Sequence, residues 1–293
     1  MKNINIGFSD NNCRVLILDE SKKIFFQDEF DLGFKITDEA NFKKNKEDTL
    51  RIFTEKLNSL QLPESDKKVN VLLDTSLTFL NLFPFDFNED KGNINSHILW
   101  ELSNYYPVTY KDFLINYYRL HNNFFSESID EVLLIAVDRK IIEVIKNLCN
   151  GNGFRISNID IDQIAVEKYL KEVYGTEFEQ QNVVLIGCKN NRLDYSLYTN
   201  GKLTYYDFQI TNMNNPGSYL IKQIEVLNSV AGYEGIAVIF LYGDEKLFQI
   251  RDILSEYYKE LPVKLVSTDS ESAEISRRSI FAPLCGLGLK NYS

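Results

Sequence analysis

Residues able to do chemistry are few in this sequence, and their spacing suits catalysis poorly. His97 and His121 are the only histidines; they fall in different elements, and neither has a visible partner for acid–base work. Ser9 stands beside Asp10, a pair that reads as a turn before it reads as a nucleophile and its base. Asp160 and Asp162 put two carboxylates where a strand meets a helix, and a strand-end charge and a helix N-cap account for both. Cys13, Cys149, Cys188 and Cys285 are scattered, without the paired spacing of a zinc site or a disulfide framework, and read as small hydrophobes. That leaves two glycine-bearing segments, Asn5-Ile6-Gly7 and Leu185-Ile186-Gly187, each running into a turn. Glycine there serves a hairpin needing φ > 0, or lets backbone amides come close to an anion. Lys189 and Arg192, beside the second segment, either attract such an anion or are solvated charges.

The elements that must position these residues follow from hydrophobic periodicity. Residues 4–8, 14–19 and 23–30 are short apolar or alternating runs separated by turn formers, a β-meander. A helix over 47–60 and a strand over 69–73 come next. Strand 80–85 precedes a helix that Ser96 can cap and Pro107 ends, with Ile98, Leu99, Leu102, Tyr105 and Tyr106 on one face. Strands 112–120 and 131–137, a helix from Asp138 stopped by Gly151 and Gly153, strand 154–160 and helix 162–173 complete this stretch. A second meander then appears at 182–187, 193–198 and 202–210, with Asn200-Gly201 as a strong hairpin turn. Strand-turn-strand-turn-strand beginning at both Asn3 and Asn182 is the trace that two duplicated halves would leave.

Composition narrows the partners. With 44% hydrophobic and 25% charged residues, the 293-residue chain is expected to be a soluble globular protein with a large core or two lobes. A net charge of −10 repels polyanions, and no Lys/Arg cluster is flanked by stacking aromatics, so nucleic acid is not expected as a partner. Apolar runs such as 183–187 and 236–242 fall well short of the roughly 20 residues that span a bilayer. The amino terminus reads as a strand rather than a secretory leader, and a cytosolic location is expected.

The segment Ile98-Leu99-Trp100-Glu101-Leu102-Ser103-Asn104-Tyr105-Tyr106-Pro107, continuing through Tyr110-Lys111-Asp112 to Asn116-Tyr117-Tyr118, resembles the stretch of the type IV pilus assembly family PilM in which a Trp-Glu helix ends at an aromatic-Pro pair before a strand. Residues 133–137, 140–148, Gly153-Phe154, Ile159-Asp160-Ile161-Asp162 and 282–289 are similar to the family's later strands and helices. The resemblance implies an α/β, actin-like (ribonuclease H-like) two-lobed fold with the small α+β subdomain shared with the cell-division protein FtsA. It implies a first lobe of residues 1–75, to which a terminal helix within 270–293 returns, an inserted subdomain of 76–157, and a second lobe of 158–269.

It also implies a nucleotide cleft, and here the sequence departs from the pattern. Phosphoryl chemistry needs carboxylates to hold Mg²⁺ and water beside backbone amides. The family supplies an acid and a glycine in each hairpin, whereas this chain has Asn5 and Leu185 in place of the acids. A single helix begun by Asn215-Pro216 replaces the family's extra lobe beside the base, and its Gly-Gly turn has become Tyr242-Gly243-Asp244. Gly7, Ser9, Asp162, Gly187 and Gly243 are then a vestigial cleft with no catalytic residue, no metal and no cofactor; ATP with magnesium is disfavoured.

In PilM-like proteins the groove between first lobe and insert receives a short cytoplasmic peptide from a bitopic inner-membrane protein of the PilN type. By resemblance, Leu80, Asn81, Phe83, Tyr105, Tyr106 and Tyr117 are the candidate peptide contacts, although aromatics at such spacing also serve as core. A non-catalytic scaffold, held at the inner membrane through a protein partner, is the expected function. An active ATPase or small-molecule kinase of the same superfamily stays open, as do an actin-like binding protein of another bacterial system and a homo-oligomer. An FtsA-like filament former is disfavoured, because no amphipathic anchor follows Leu289 in Lys290-Asn291-Tyr292-Ser293.

Overall fold

A computed structural model describes residues 3–58, 68–87, 93–120, 122, 129–189, 191–210, 217–244, 246–266 and 279–290. His121, Asn215, Pro216 and residues 291–293 lie outside the described residues. The chain forms two compact units: one built from described residues up to 119 and from 129 to 162, the other from Leu120, Asn122 and residues 163–290.

In the first unit β1 (Asn3–Phe8), β2 (Asn12–Leu18) and β3 (Ile24–Asp31) form the expected antiparallel meander. After α1 (Glu39–Lys44) and α2 (Lys46–Asn58), β4 (Lys68–Leu73) pairs parallel to β1, and β8 (Arg155–Ile161) pairs parallel to β4. The sheet order is β3-β2-β1-β4-β8. Alternation divides its faces. Ile4, Ile6 and Phe8 share one face, where Phe8 meets Phe53 of α2 with ring centroids 6.3 Å apart. Asn3 and Asn5 point to the other.

The same unit carries a second sheet of order β5-β7-β6, made of β5 (Phe79–Asp86), β6 (Phe113–Leu120) and β7 (Ile129–Asp138). Helix α3 (Ile94–Tyr105) covers one face, packing Ile98 with Phe83, Phe85, Val132 and Leu134. Its cap position is Asn93, three residues before the Ser96 cap expected from the sequence, and Asn93 makes no side-chain cap bond. Helix α4 (Arg139–Gly151) is capped as expected: the Asp138 carboxylate accepts the Lys140 amide at 2.8 Å. Ile142, Ile145 and Leu148 recur on its buried side, and Gly153 ends the turn at φ +72°.

The second unit repeats the plan. β9 (Asn182–Lys189), β10 (Arg192–Thr199) and β11 (Lys202–Ile210) are an antiparallel meander, with β12 (Val238–Gly243) parallel to β9 and β13 (Val263–Leu265) parallel to β12. The order β11-β10-β9-β12-β13 matches the first sheet position for position. Asn200 and Gly201 turn the β10–β11 hairpin with φ of 52° and 69°, the two positive values that an Asn-Gly turn of this kind requires. Helix α5 starts at Asp162 and continues to Gln180, beyond the Val173 expected, with a non-helical break at Gly175. Helices α6 (Gly217–Ala231) and α7 (Leu247–Tyr257) bury Leu220, Ile224, Leu227, Leu247, Ile250 and Leu254 against Val184, Ile186, Tyr195 and Leu197.

Helix α8 (Ala282–Leu289), read from the sequence as returning to the first lobe, groups instead with the second unit. Its backbone runs so close to α5 that a Cβ on Gly286 would stand 1.9 Å from the Ala165 carbonyl oxygen. Among the described residues no helix is long and apolar enough to cross a membrane.

Candidate functional site

Three places hold the residues singled out from the sequence: the first hairpin, the second hairpin, and the space between the two sheets of the first unit.

At the first hairpin, Asn5 is 0% exposed and belongs to a ladder of amides. Asn70 Nδ2 donates to Asn3 Oδ1 at 2.9 Å and Asn5 Oδ1 at 3.0 Å, and Asn158 Nδ2 donates to Asn70 Oδ1 at 2.9 Å. Neutral side chains thus tie β1, β4 and β8 together across one face. Ser9 closes the β1–β2 turn, its amide donating to the Asn12 carbonyl at 3.0 Å and its hydroxyl at 3.4 Å. Asp10 accepts the Thr37 hydroxyl at 2.7 Å and pairs with Lys35 at 3.2 Å. Asp162 is buried and accepts the Thr75 amide at 3.2 Å.

At the second hairpin the two glycines have separate purposes. Neither Gly7 nor Gly187 has positive φ, so the expectation that they are hairpin glycines needed for that conformation is corrected. Gly187 is required for space. A Cβ there would lie 2.6 Å from Gln163 Oε1 and 2.7 Å from the Tyr242 hydroxyl. Those two groups bond each other at 2.7 Å, and Gln163 Nε2 donates to the Ser196 hydroxyl at 2.9 Å. Gly243 is required for both reasons: its φ is +128°, and a Cβ would meet the Cys188 carbonyl oxygen at 1.8 Å.

Lys189 and Arg192 are not solvated. Both are buried, because the tight β9–β10 turn aims them at Asp194, which is wholly buried opposite Gly187. Lys189 Nζ lies 2.5 Å from Asp194 Oδ2 and Arg192 Nε 2.8 Å from Oδ1. The Tyr206 hydroxyl also donates to Oδ1, at 2.6 Å, and the Arg192 guanidinium stacks 3.9 Å from the Phe208 ring centroid. Burial pushes the Asp194 carboxyl up, but Lys189 and Arg192 more than offset it and hold the group below the usual carboxylate value. The cations therefore have a built-in counterion. Among the described residues, no group of three or more His, Cys, Asp or Glu is placed to hold a metal.

The third place is a cavity of about 140 Å³ inside the first unit. Leu73, Ile135, Val137, Ile142 and Ile161 give it an apolar wall, and Ile159, 38% exposed, stands at the rim. Its polar side comes from β6 and β8, as Asn116, Tyr118 and Asp160. None of the six residues chosen from the sequence lines it. Phe83 is core, its ring centroid 5.0 Å from that of His97. Leu80 is buried. Asn81 bonds the Tyr105 hydroxyl at 3.3 Å, while Phe79 gathers the Tyr105 and Tyr106 rings at 5.0 and 5.3 Å. Tyr117 lies on β6 but points to the opposite face from its neighbours Asn116 and Tyr118. Alternation along β6 does not mark the cavity, because Leu114, Ile115, Asn116 and Tyr118 all line it.

No protein-family model matches the sequence, and no curated protein matches it. Solved structures do. A PilM–PilN type IV pilus biogenesis complex superposes with a TM-score of 0.70 at 11% identity, over 98% of this chain and 97% of the other. A protein of unknown function with an actin-like ATPase fold from Bacteroides thetaiotaomicron gives 0.56 at 11% identity, over 98% and 95%. This chain has the actin-like ATPase fold. The cytoplasmic domain of EpsL, an inner membrane component of the type II secretion system of Vibrio cholerae, shares that fold, with a TM-score of 0.55 at 10% identity over 100% and 97%. At such identities the fold alone carries over, and what the fold does here rests on the residues above.

Proposed function

We propose that this protein is a non-catalytic scaffold that holds a short extended peptide from the cytoplasmic tail of an inner-membrane partner. The observation that carries this reading is the cavity in the first unit, apolar on its walls and polar along β6 and β8. A cavity of about 150 Å³ lined by aliphatic side chains accepts a group the size of benzene, so this one suits a single apolar side chain of a peptide. The solved structures with this fold include a PilM–PilN type IV pilus biogenesis complex and the cytoplasmic domain of EpsL, an inner membrane component of a type II secretion system, which supports a partner of the PilN type and a place at the cytoplasmic face of the inner membrane.

The hairpins support the non-catalytic half. A magnesium triphosphate would need carboxylates where Asn5 and the buried Leu185 stand, and free space above Gly187 where Tyr242 and Gln163 already meet. The residues present do not fit it. Titration calorimetry with Mg²⁺ and ATP is expected to give no heat of binding, and micromolar affinity would restore the ATPase reading. The scaffold itself is tested by capture of synthetic cytoplasmic tails from single-span membrane proteins encoded beside the gene. Ile159→Trp, which plugs the rim at a half-exposed position, should abolish capture without lowering the melting temperature. Undiminished capture by this variant would move the site out of the cavity.

A further inference from the structure

Helix α3 presents a solvent face without charge. On the arc opposite the buried Ile98 and Leu102 stand Asn95, Ser96, Leu99, Trp100, Ser103 and Asn104. None of them is ionisable, although 25% of the chain is charged and its net charge is −10. The helix's His97 and Glu101 turn toward the sheet instead. The His97 ring lies 5.0 Å from that of Phe83 and 5.5 Å from that of Phe85, and the Glu101 carboxylate accepts Asn81 Nδ2 at 3.5 Å. Trp100 is 57% exposed and Leu99 38%. An apolar centre that includes tryptophan and lacks charge has the composition of an interface core, where charged residues are depleted and aromatics enriched.

The order of these residues says what covers them. Read from either end, the face runs Asn, Ser, apolar, apolar, Ser, Asn. When two such helices run antiparallel about a two-fold axis between Leu99 and Trp100, like is set against like: Asn95 opposite Asn104, Ser96 opposite Ser103, and Leu99 opposite Trp100. A carboxamide both donates and accepts, so the asparagines suit each other. Ser103 Oγ already donates to the Trp100 carbonyl at 2.7 Å, which leaves it an acceptor for the Ser96 hydroxyl of a second copy. The serines are small and let the helix axes approach, while Leu99 and Trp100 meet at the centre. A foreign partner would require no such symmetry. Charge points the same way, because copies of net charge −10 repel each other least where no ionised group lies beside the axis.

We propose that two copies of this chain associate through α3, antiparallel about a two-fold axis between Leu99 and Trp100. This goes beyond the scaffold reading and does not depend on it. One pair of helices of this length covers less than the roughly 800 Å² per partner of a standard interface, so the dimer is weak and answers to local concentration. Copies gathered at one place pair, and copies in dilute solution stay apart.

The test uses the full chain and its only tryptophan, which lies at the centre of the pairing. Sedimentation equilibrium and Trp100 emission are followed from about 1 μM to about 1 mM. Pairing predicts a mass that rises toward twice the monomer's and an emission maximum that moves to shorter wavelength over the same range. Leu99→Lys brings two ammonium groups together beside the axis and should weaken association tenfold or more at an unchanged melting temperature. Cys13, Cys149, Cys188 and Cys285 are all buried, so introduced thiols can report the register. A mixture of Ser96→Cys and Ser103→Cys should form an intermolecular disulfide under mild oxidation. Either variant alone should not, because like positions are offset by about 10 Å along the pair. Should Leu99→Lys melt lower than the wild type, the cross-linking pattern alone decides. A constant monomer mass across the range would overturn the proposal. Association untouched by Leu99→Lys, or unaccompanied by a shift in Trp100 emission, would overturn the assignment to α3. Cross-linking of Ser96→Cys to itself and not to Ser103→Cys would overturn the antiparallel order.

Discussion

Tyr242 donates its phenolic hydrogen to Gln163 Oε1 across 2.7 Å, and the pair sits directly over the bare backbone of Gly187. The bare backbone of Gly187 thus makes room for the protein's own side chains.

The first prediction follows from that contact. Gly187→Ala adds a methyl group 2.6 to 2.7 Å from two polar atoms in a closed interior, and should cost about 1–3 kcal/mol by chemical denaturation. Combining it with Tyr242→Phe removes one of the colliding atoms, so the double variant should be more stable than the sum of the two singles predicts. Strict additivity would mean that Gly187 is constrained by something other than Tyr242.

Asp194 anchors a second prediction. Asp194→Asn leaves Lys189 and Arg192 buried beside a neutral amide, a loss expected at about 3–5 kcal/mol. The pH dependence has a definite sign. Because the folded carboxyl is held below its unfolded value, its stabilisation is complete above the unfolded value near pH 4 and is lost as pH falls through the folded one. Denaturation midpoints of the wild type should therefore drop more steeply below about pH 4 than those of Asp194→Asn. Parallel curves for the two proteins would show that the cluster stays uncoupled from acid unfolding.

Tyr195 points the other way. Its hydroxyl is buried in the core of the second unit and has no hydrogen-bond partner among the described residues, and burial, together with the Cys188 side chain, pushes its ionisation well above the ordinary value. Tyr195→Phe removes an unsatisfied polar atom and nothing else, and should stabilise by about 1 kcal/mol, read as a higher denaturation midpoint with unchanged slope. A fall in stability would reveal a partner for that hydroxyl.

How much of this was legible in the sequence depends on whether the cause was local. The two meanders, the Asn200-Gly201 turn and the Asp138 cap were readable because each is fixed by residues a few positions apart. The burial of Lys189 and Arg192 was not read, although the two-residue turn between them already sets 187 opposite 194 and so brings Asp194 into reach. Aromatic residues drew attention to Phe83 and Tyr105, but ring contacts with His97 and Phe79 use them as packing. The cavity needed knowledge that β6 and β8, about forty residues apart, end up as neighbouring edges, and only the fold supplies that.

The amide ladder yields the last prediction, and it bears on whether a carboxylate at position 5 would suffice for nucleotide binding. Asn5→Asp introduces an acid where the proposed scaffold reading takes one to be missing, at a position that is 0% exposed and faces Asn70 Nδ2 and the Asn3 carbonyl. A carboxylate so buried has its pKa raised, by roughly two units for a group with one amide donor, which corresponds to about 3 kcal/mol at neutral pH. A raised folded value means the penalty is absent below the unfolded value near pH 4 and grows as pH rises through the folded one. The variant should thus match the wild type in acid and melt lower at pH 7, and calorimetry should still find no binding of Mg²⁺ and ATP, because Leu185, Tyr242 and Gln163 are unchanged. Gain of nucleotide binding from this one substitution would mean that the second hairpin retains a working phosphate site.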